Sequence, residues 1–234
     1  MKYSELRKSV LDANAALYDS GLVISTFGNV SAIDRKKGVV AIKPSGVSYK
    51  AMQVADIVVT DLDGNILEGT LRPSSDLDTH LELYKSFKSI GAVVHTHSLF
   101  ATVWAQSGRG IPAMGTTHAD YFNGTIPVTR KLRDDEIIEG YVRNTGKVIV
   151  EALGNNAPLS VPAALVNDHG PFCWGKDAAD ALHNAEMLEA IAKIAFHARQ
   201  LNQDDPEISA ALLDRHYQRK HGQSATYGQP DSSK

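Results

Sequence analysis

The clearest chemical signal is a pair of histidines, His95 and His97, separated by one residue. They follow the apolar run 92–94, which predicts a β-strand, and side chains two apart on a strand project from the same face. Two imidazoles can therefore converge on one ion, although such a pair alone often arises by chance. A second apolar run, 163–166, leads to His169, which on its own would be an ordinary turn residue. Three imidazoles, with one carboxylate, suit Zn²⁺ or a similar ion and leave room for a substrate oxygen.

Three loops carry groups that bind anions. The loop 27–31 combines a glycine with an amide, and the loop 43–46 combines a lysine, a hydroxyl and backbone N–H groups. The loop 73–76 places two hydroxyls at a predicted helix N-terminus, where the helix dipole favours an anion. Each loop alone could be an ordinary turn, and none matches a nucleotide-binding fingerprint. Three of them beside a histidine cluster predict a small phosphorylated substrate.

The elements that must position these groups alternate along the chain. Ser4 is placed to cap the first helix, Asp76 or Ser75 to cap the second, and Asp63-Gly64 is a hairpin signal. No repeat or linker interrupts the pattern, so we expect one compact α/β domain over residues 1–234, whose sheet need not be parallel. Helices are predicted over about 1–20, 76–87, 98–106, 177–200 and 206–220, and strands over 39–42, 57–59, 92–97 and 163–166.

Composition limits the class of protein. The 234 residues carry 24 Lys and Arg against 27 Asp and Glu, a net charge of −3, which is no footprint for nucleic acid. No apolar run approaches the roughly 20 residues needed to span a bilayer, and the N-terminus lacks the apolar core of a signal peptide. A single cysteine, Cys173, excludes an intramolecular disulfide and a cysteine-rich metal site. We expect a soluble cytoplasmic protein with neither a nucleic-acid nor a membrane partner.

Seven motifs in this order resemble the class II sugar-phosphate aldolase/epimerase family, and within it the epimerases. They are GNVS, KPSG, RPSSD, HTHS, GTTHADYF, VNDHGPF and RKHGQSATYGQ. HTHS alone would be a weak signal, but the ordered set is specific and extends from the first helix to Tyr227. The resemblance implies a three-layer α/β/α fold with helices covering a mainly antiparallel sheet. It also implies a homotetramer with fourfold symmetry.

The resemblance also implies the site. It assigns a Zn²⁺ ion, which Mn²⁺ or Co²⁺ can replace, to Asp76, His95, His97 and His169. A neighbouring subunit would supply Asp120 and Tyr227 as the acid/base pair, with His216 assisting and the tail from about residue 221 completing the site. Substrate and phosphate binding would fall to Gly28, Asn29, Lys43, Ser45, Gly46, Ser74 and Ser75.

The implied activity is epimerisation of L-ribulose 5-phosphate to D-xylulose 5-phosphate by cleavage and re-formation of the C3–C4 bond, a reaction of arabinose and L-ascorbate utilisation. The nearest alternative is an aldolase acting on fuculose or rhamnulose 1-phosphate, which would use a glutamate where this chain has Asp76. A non-catalytic module like the adducin head would have lost its metal ligands, and a metal-free structural domain is a further alternative. The stretch 139–143 departs from the family pattern, and we assign it no role.

Overall fold

A computed structural model describes residues 2–202, 207–223 and 225–226. A short 3-10 helix spans Val54–Asp56. The helices are α1 (Ser4–Asp19), α2 (Leu77–Ser86), α3 (Leu99–Gln106), α4 (Thr116–Ala119), α5 (Asp134–Leu153), α6 (Ala178–Leu201) and α7 (Ala210–His221). The strands are β1 (Asn29–Asp34), β2 (Val39–Ile42), β3 (Val58–Asp61), β4 (Ile66–Glu68), β5 (Ala92–His95), β6 (Ala163–Leu165) and β7 (Pro171–Gly175).

The described strands form one sheet in the order β4-β3-β2-β1-β5-β7-β6, and every neighbouring pair is antiparallel. The register sets Asn29, His95 and Phe172 side by side across β1, β5 and β7. Because directly opposite residues share a face of the sheet, these three side chains point to the same side. The prediction of one α/β domain with an antiparallel sheet flanked by helices is confirmed.

Helices attach to the sheet through apolar stripes and a few buried polar bonds. On α1, Val10 and Leu17 are fully buried, and the Asn14 side chain bonds both the N–H and the carbonyl of Val30 on β1. On the face of β1 that carries Ser31, this hydroxyl bonds two α2 side chains, His80 and Tyr84, both at 2.7 Å. Each bond satisfies a group that would be costly to bury alone, so both helices have a fixed position on β1.

Several expected helix ends differ in the structure. Ser4 does not cap α1, whose N-cap residue is Tyr3 without a side-chain cap bond. Asp76 occupies the N-cap position of α2, yet its carboxylate makes no cap bond there, because it accepts a hydrogen bond from Asn29 instead. The last helix begins at Ala210 rather than near residue 206, since the Ser209 side chain caps it.

The longest described helix, α6, has a side-chain cap, because the Asp177 carboxylate accepts from Asp180 N at 2.9 Å. Helices α4 and α5 were not predicted from the sequence. Among the described helices, none is both long enough and apolar enough to cross a membrane.

Candidate active site

The structure brings the three predicted imidazoles together. One nitrogen of each of His95, His97 and His169 lies within 4.8 Å of the others, and the ring centroids are 4.8 to 5.0 Å apart. His95 is the last residue of β5, His97 lies two residues beyond it, and His169 lies in the turn between β6 and β7. Because β7 pairs with β5, that turn stands beside the end of β5.

A close backbone approach holds the turn against β5. A Cβ atom on Gly170 would lie 2.9 Å from the Thr96 carbonyl oxygen, closer than real Cβ atoms come, so this position requires glycine. Asp168 has a positive φ of 60°, a conformation that aspartate adopts more readily than most residues. The turn sequence therefore has the residues that place His169 next to His95.

The imidazoles are suited to metal ligation. His95 Nδ1 lies 2.9 Å from the Pro171 carbonyl, which can only accept, so Nδ1 carries the proton and the Nε2 lone pair is free. Burial lowers the pKa of His95 and of His97. Burial, with the two neighbouring imidazoles, lowers the pKa of His169 to about 4. Neutral imidazoles with available lone pairs are what a divalent ion requires, so this donor set fits a metal centre.

An ionised carboxylate stands beside the triad. Asp76 accepts a hydrogen bond from Asn29 Nδ2 at 2.6 Å. Burial by itself would raise the pKa of this carboxyl, but the imidazoles of His95 and His80 and the Asn29 bond bring the pKa below its usual value. Asp76 is therefore an anion at neutral pH, which suits a fourth ligand or a partner for the metal's charge.

The triad opens into a cavity of about 470 Å³. All seven residues predicted to bind substrate line it, together with the three histidines and Asp76. Two of the loops are joined by backbone bonds, Ser74 N to Lys43 O and Ser45 N to Arg72 O, both 2.9 Å. The structure thus brings the anion-binding loops and the histidine cluster to one place.

Lys43 is the cation of this cavity. Lys43 is 2% exposed. Its ammonium group makes only long hydrogen bonds, of 3.5 Å to the Thr26 carbonyl and 3.4 Å to the Pro44 carbonyl. It also lies 4.7 Å from the centre of the Tyr49 ring, and burial lowers its pKa. Within the described chain no carboxylate forms an ion pair with it, so an anion entering the cavity would find an uncompensated positive charge.

Asp120 and His216, two of the residues predicted to take part in proton transfer, lie apart from this cavity. Asp120 follows α4 and accepts from Arg219 through both carboxylate oxygens at 3.0 Å, and it lies 3.0 Å from His216 Nδ1. Neither Asp120 nor His216 lines the cavity around the triad within the described chain. Tyr227 lies outside the described residues.

Tyr141 is a lining residue that was not predicted from the sequence. Tyr141, in α5, lines the cavity, and its hydroxyl lies 3.1 Å from His169 Nδ1. The available signal was an aromatic residue directly after Gly140, where a helical pattern is interrupted. The backbone of Gly140 is indeed non-helical, and α5 kinks there.

Comparisons with known proteins identify the family and the fold. Residues 8–196 match the family described as class II aldolase and adducin N-terminal domain. A structure of L-fuculose 1-phosphate aldolase is 26% identical, with a TM-score of 0.78, covering 92% of this chain and 95% of that one. An L-fuculose-1-phosphate aldolase from Thermus thermophilus is 22% identical, with a TM-score of 0.66 and coverages of 85% and 98%. An aldolase II superfamily protein from Pseudomonas syringae is 15% identical, with a TM-score of 0.75 and coverages of 93% and 84%. The last two structures, both less than 25% identical to this chain, show a shared fold.

Proposed function

We propose that this chain, which belongs to the class II aldolase and adducin N-terminal domain family, interconverts L-ribulose 5-phosphate and D-xylulose 5-phosphate with Zn²⁺ as its metal. The observation that carries the proposal is the placement of three neutral imidazoles in one cavity with Lys43 and the hydroxyl-bearing loops. The choice of the epimerase within the family is supported by the seven ordered motifs.

Epimerisation at C4 requires a metal ion and groups that retain the cleaved fragment. The hydrogen on C4 of the pentulose is not next to the carbonyl, so simple deprotonation cannot invert that carbon. Cleavage of the C3–C4 bond gives a dihydroxyacetone enediolate and glycolaldehyde phosphate, and the aldehyde turns over before the bond re-forms. A divalent ion, when bound, supplies Lewis-acid stabilisation of the charge that develops on the ketose oxygens.

The chain's own groups would hold the aldehyde fragment and move the protons. While the aldehyde rotates, the phosphate would be kept in the cavity by Lys43, Ser45, Ser74 and Ser75. Two proton carriers are needed on opposite faces of the aldehyde, and we assign these roles to Asp120 and Tyr227.

These two residues would come from a neighbouring subunit of a fourfold homotetramer, with His216 and the tail from about residue 221. The position of Asp120 and His216 away from the cavity of their own chain supports this arrangement. The neighbouring subunit would then complete each site.

The direct test is incubation of the zinc-loaded protein with L-ribulose 5-phosphate, followed by chromatography for D-xylulose 5-phosphate. The 26% identity to L-fuculose 1-phosphate aldolase favours a second candidate, cleavage of a 1-phosphorylated deoxyhexulose. Incubation with L-fuculose 1-phosphate and detection of L-lactaldehyde would identify that activity. Turnover of neither sugar, with bound metal verified, would contradict both assignments.

Phosphate recognition is expected to depend on Ser75. Removing its hydroxyl in Ser75→Ala should raise KM about 10-fold, the effect of one hydrogen bond to a charged group, while kcat changes little. The measurement is steady-state kinetics with L-ribulose 5-phosphate, and Ser9→Ala on the exposed face of α1 is the matched control. An unchanged KM, or equal kcat/KM for phosphorylated and unphosphorylated L-ribulose, would refute the assignment.

A further inference from the structure

Each imidazole of the triad His95, His97 and His169 is contacted by a different neighbouring group. His95 is held by the Pro171 carbonyl at 2.9 Å and by the Phe172 ring, whose centroid is 4.1 Å away. His97 has the ring of Phe27 stacked at 5.8 Å. His169, on a turn, has the side chain of Tyr141, with the hydroxyl 3.1 Å from Nδ1 and the two rings stacked at 6.2 Å and 27°. The Tyr141 hydroxyl thus has the same position relative to Nδ1 of His169 as the Pro171 carbonyl has relative to Nδ1 of His95.

The position of Tyr141 is set by the packing of α5 against α2. At the kink, the Val142 carbonyl accepts a hydrogen bond from Thr79 Oγ1 of α2 at 2.6 Å. One helical turn further, a Cβ on Gly146 would lie 2.6 Å from the Cβ of Glu82, so the two helices approach closely only because residue 146 is glycine.

The partner helix α2 begins directly after Asp76. The same helix pair therefore places Asp76 and the Tyr141 hydroxyl around one cavity. This packing fixes the backbone around Tyr141, and the side chain of this residue, which is 40% exposed, reaches His169 from there.

We infer that Tyr141 is a positioning residue for His169. It accepts the Nδ1 proton of that imidazole, fixes its tautomer and orientation, and thereby leaves Nε2 for the metal. A metal-ligating histidine whose other nitrogen is hydrogen-bonded binds more tightly, and loss of such a partner typically weakens metal binding 10- to 100-fold. The inference rests on the metal centre of the proposed function, and the test below separates the two.

The test is the Zn²⁺ affinity of Tyr141→Phe, which keeps the stacked ring and removes only the hydroxyl. Equilibrium competition with a chromophoric chelator should give a dissociation constant about 10- to 100-fold higher than that of the unmodified protein. Tyr3→Phe makes the same chemical change at a buried tyrosine, the N-cap residue of α1, which does not line the cavity, and this variant should bind Zn²⁺ as the unmodified protein does. An unchanged dissociation constant in Tyr141→Phe would overturn the inference.

A second readout needs no metal. In ¹⁵N NMR of the metal-free protein, the His169 ring should carry its proton on Nδ1, and Tyr141→Phe should remove that preference. A His169 signal identical in both proteins would show that the tyrosine does not orient the ring. If the unmodified protein binds no divalent ion, the proposed function fails, and the NMR comparison still decides the role of Tyr141.

Discussion

Replacing His97 by asparagine should remove most of the bound metal and lower kcat/KM by about three orders of magnitude or more, because Lewis-acid stabilisation contributes several kcal/mol to such a transition state. The fold should survive. His97 is only partly buried and lies beyond the end of β5, where it takes no part in the sheet register. Atomic emission on dialysed protein gives the metal content, and circular dichroism checks the fold.

The matched control is His197→Asn, which makes the same change at an exposed histidine near the end of α6. It should retain both metal and activity. Metal content equal to that of the unmodified protein in His97→Asn would mean that the ion, if any, is bound elsewhere.

Mixing two inactive variants should restore activity if the site is shared between subunits. His97→Asn lacks one imidazole of the triad, and Asp120→Asn lacks a proposed proton carrier. In a tetramer assembled at random from equal amounts, about a quarter of the sites combine an intact triad from one chain with an intact Asp120 from its neighbour. Activity after subunit exchange should therefore approach that fraction of the value for the unmodified protein.

The control mixture pairs His97→Asn with His95→Asn. Both variants damage the triad itself, so no combination of neighbours contains an intact one, and activity should stay at the background level. If the first mixture also stays inactive after exchange has been verified by native mass spectrometry, Asp120 acts within its own chain or not at all. The same mixture made with Tyr227→Phe tests the residue that the structure does not describe.

The site residues that could be predicted from the sequence are those that lie close together along the chain, in short motifs. His95 and His97 belong to one strand end, and the anion-binding loops combine glycine, hydroxyls and lysine within four or five residues. That these groups share a cavity follows from strand order, which places β5 between β1 and β7, and motif order along the chain does not contain that information.

The parts that were missed depend on tertiary contacts. Tyr141 reaches His169 because α5 kinks at Gly140 and packs closely on α2, and nothing within residues 139–143 indicates the partner helix. Asp76 holds the expected N-cap position of α2 but makes no cap bond, because a distant amide, Asn29, competes for the carboxylate. Local sequence indicates which side chains can form a hydrogen bond, and the tertiary fold determines which partner each of them bonds.

The length of the turn between β6 and β7 should be constrained more by the position of His169 than by the pairing of the two strands. The bond from Val166 N to Gly170 O, 2.9 Å long, closes a tight connection between two antiparallel strands, and such connections ordinarily tolerate insertions during evolution. An added residue here would leave the pairing of β6 with β7 possible but would swing His169 away from His95. Among relatives that keep the histidine triad, we expect this hairpin to have a constant number of residues, whereas a relative that has lost the triad is free to lengthen it. Its length can thus serve as a marker of retained chemistry.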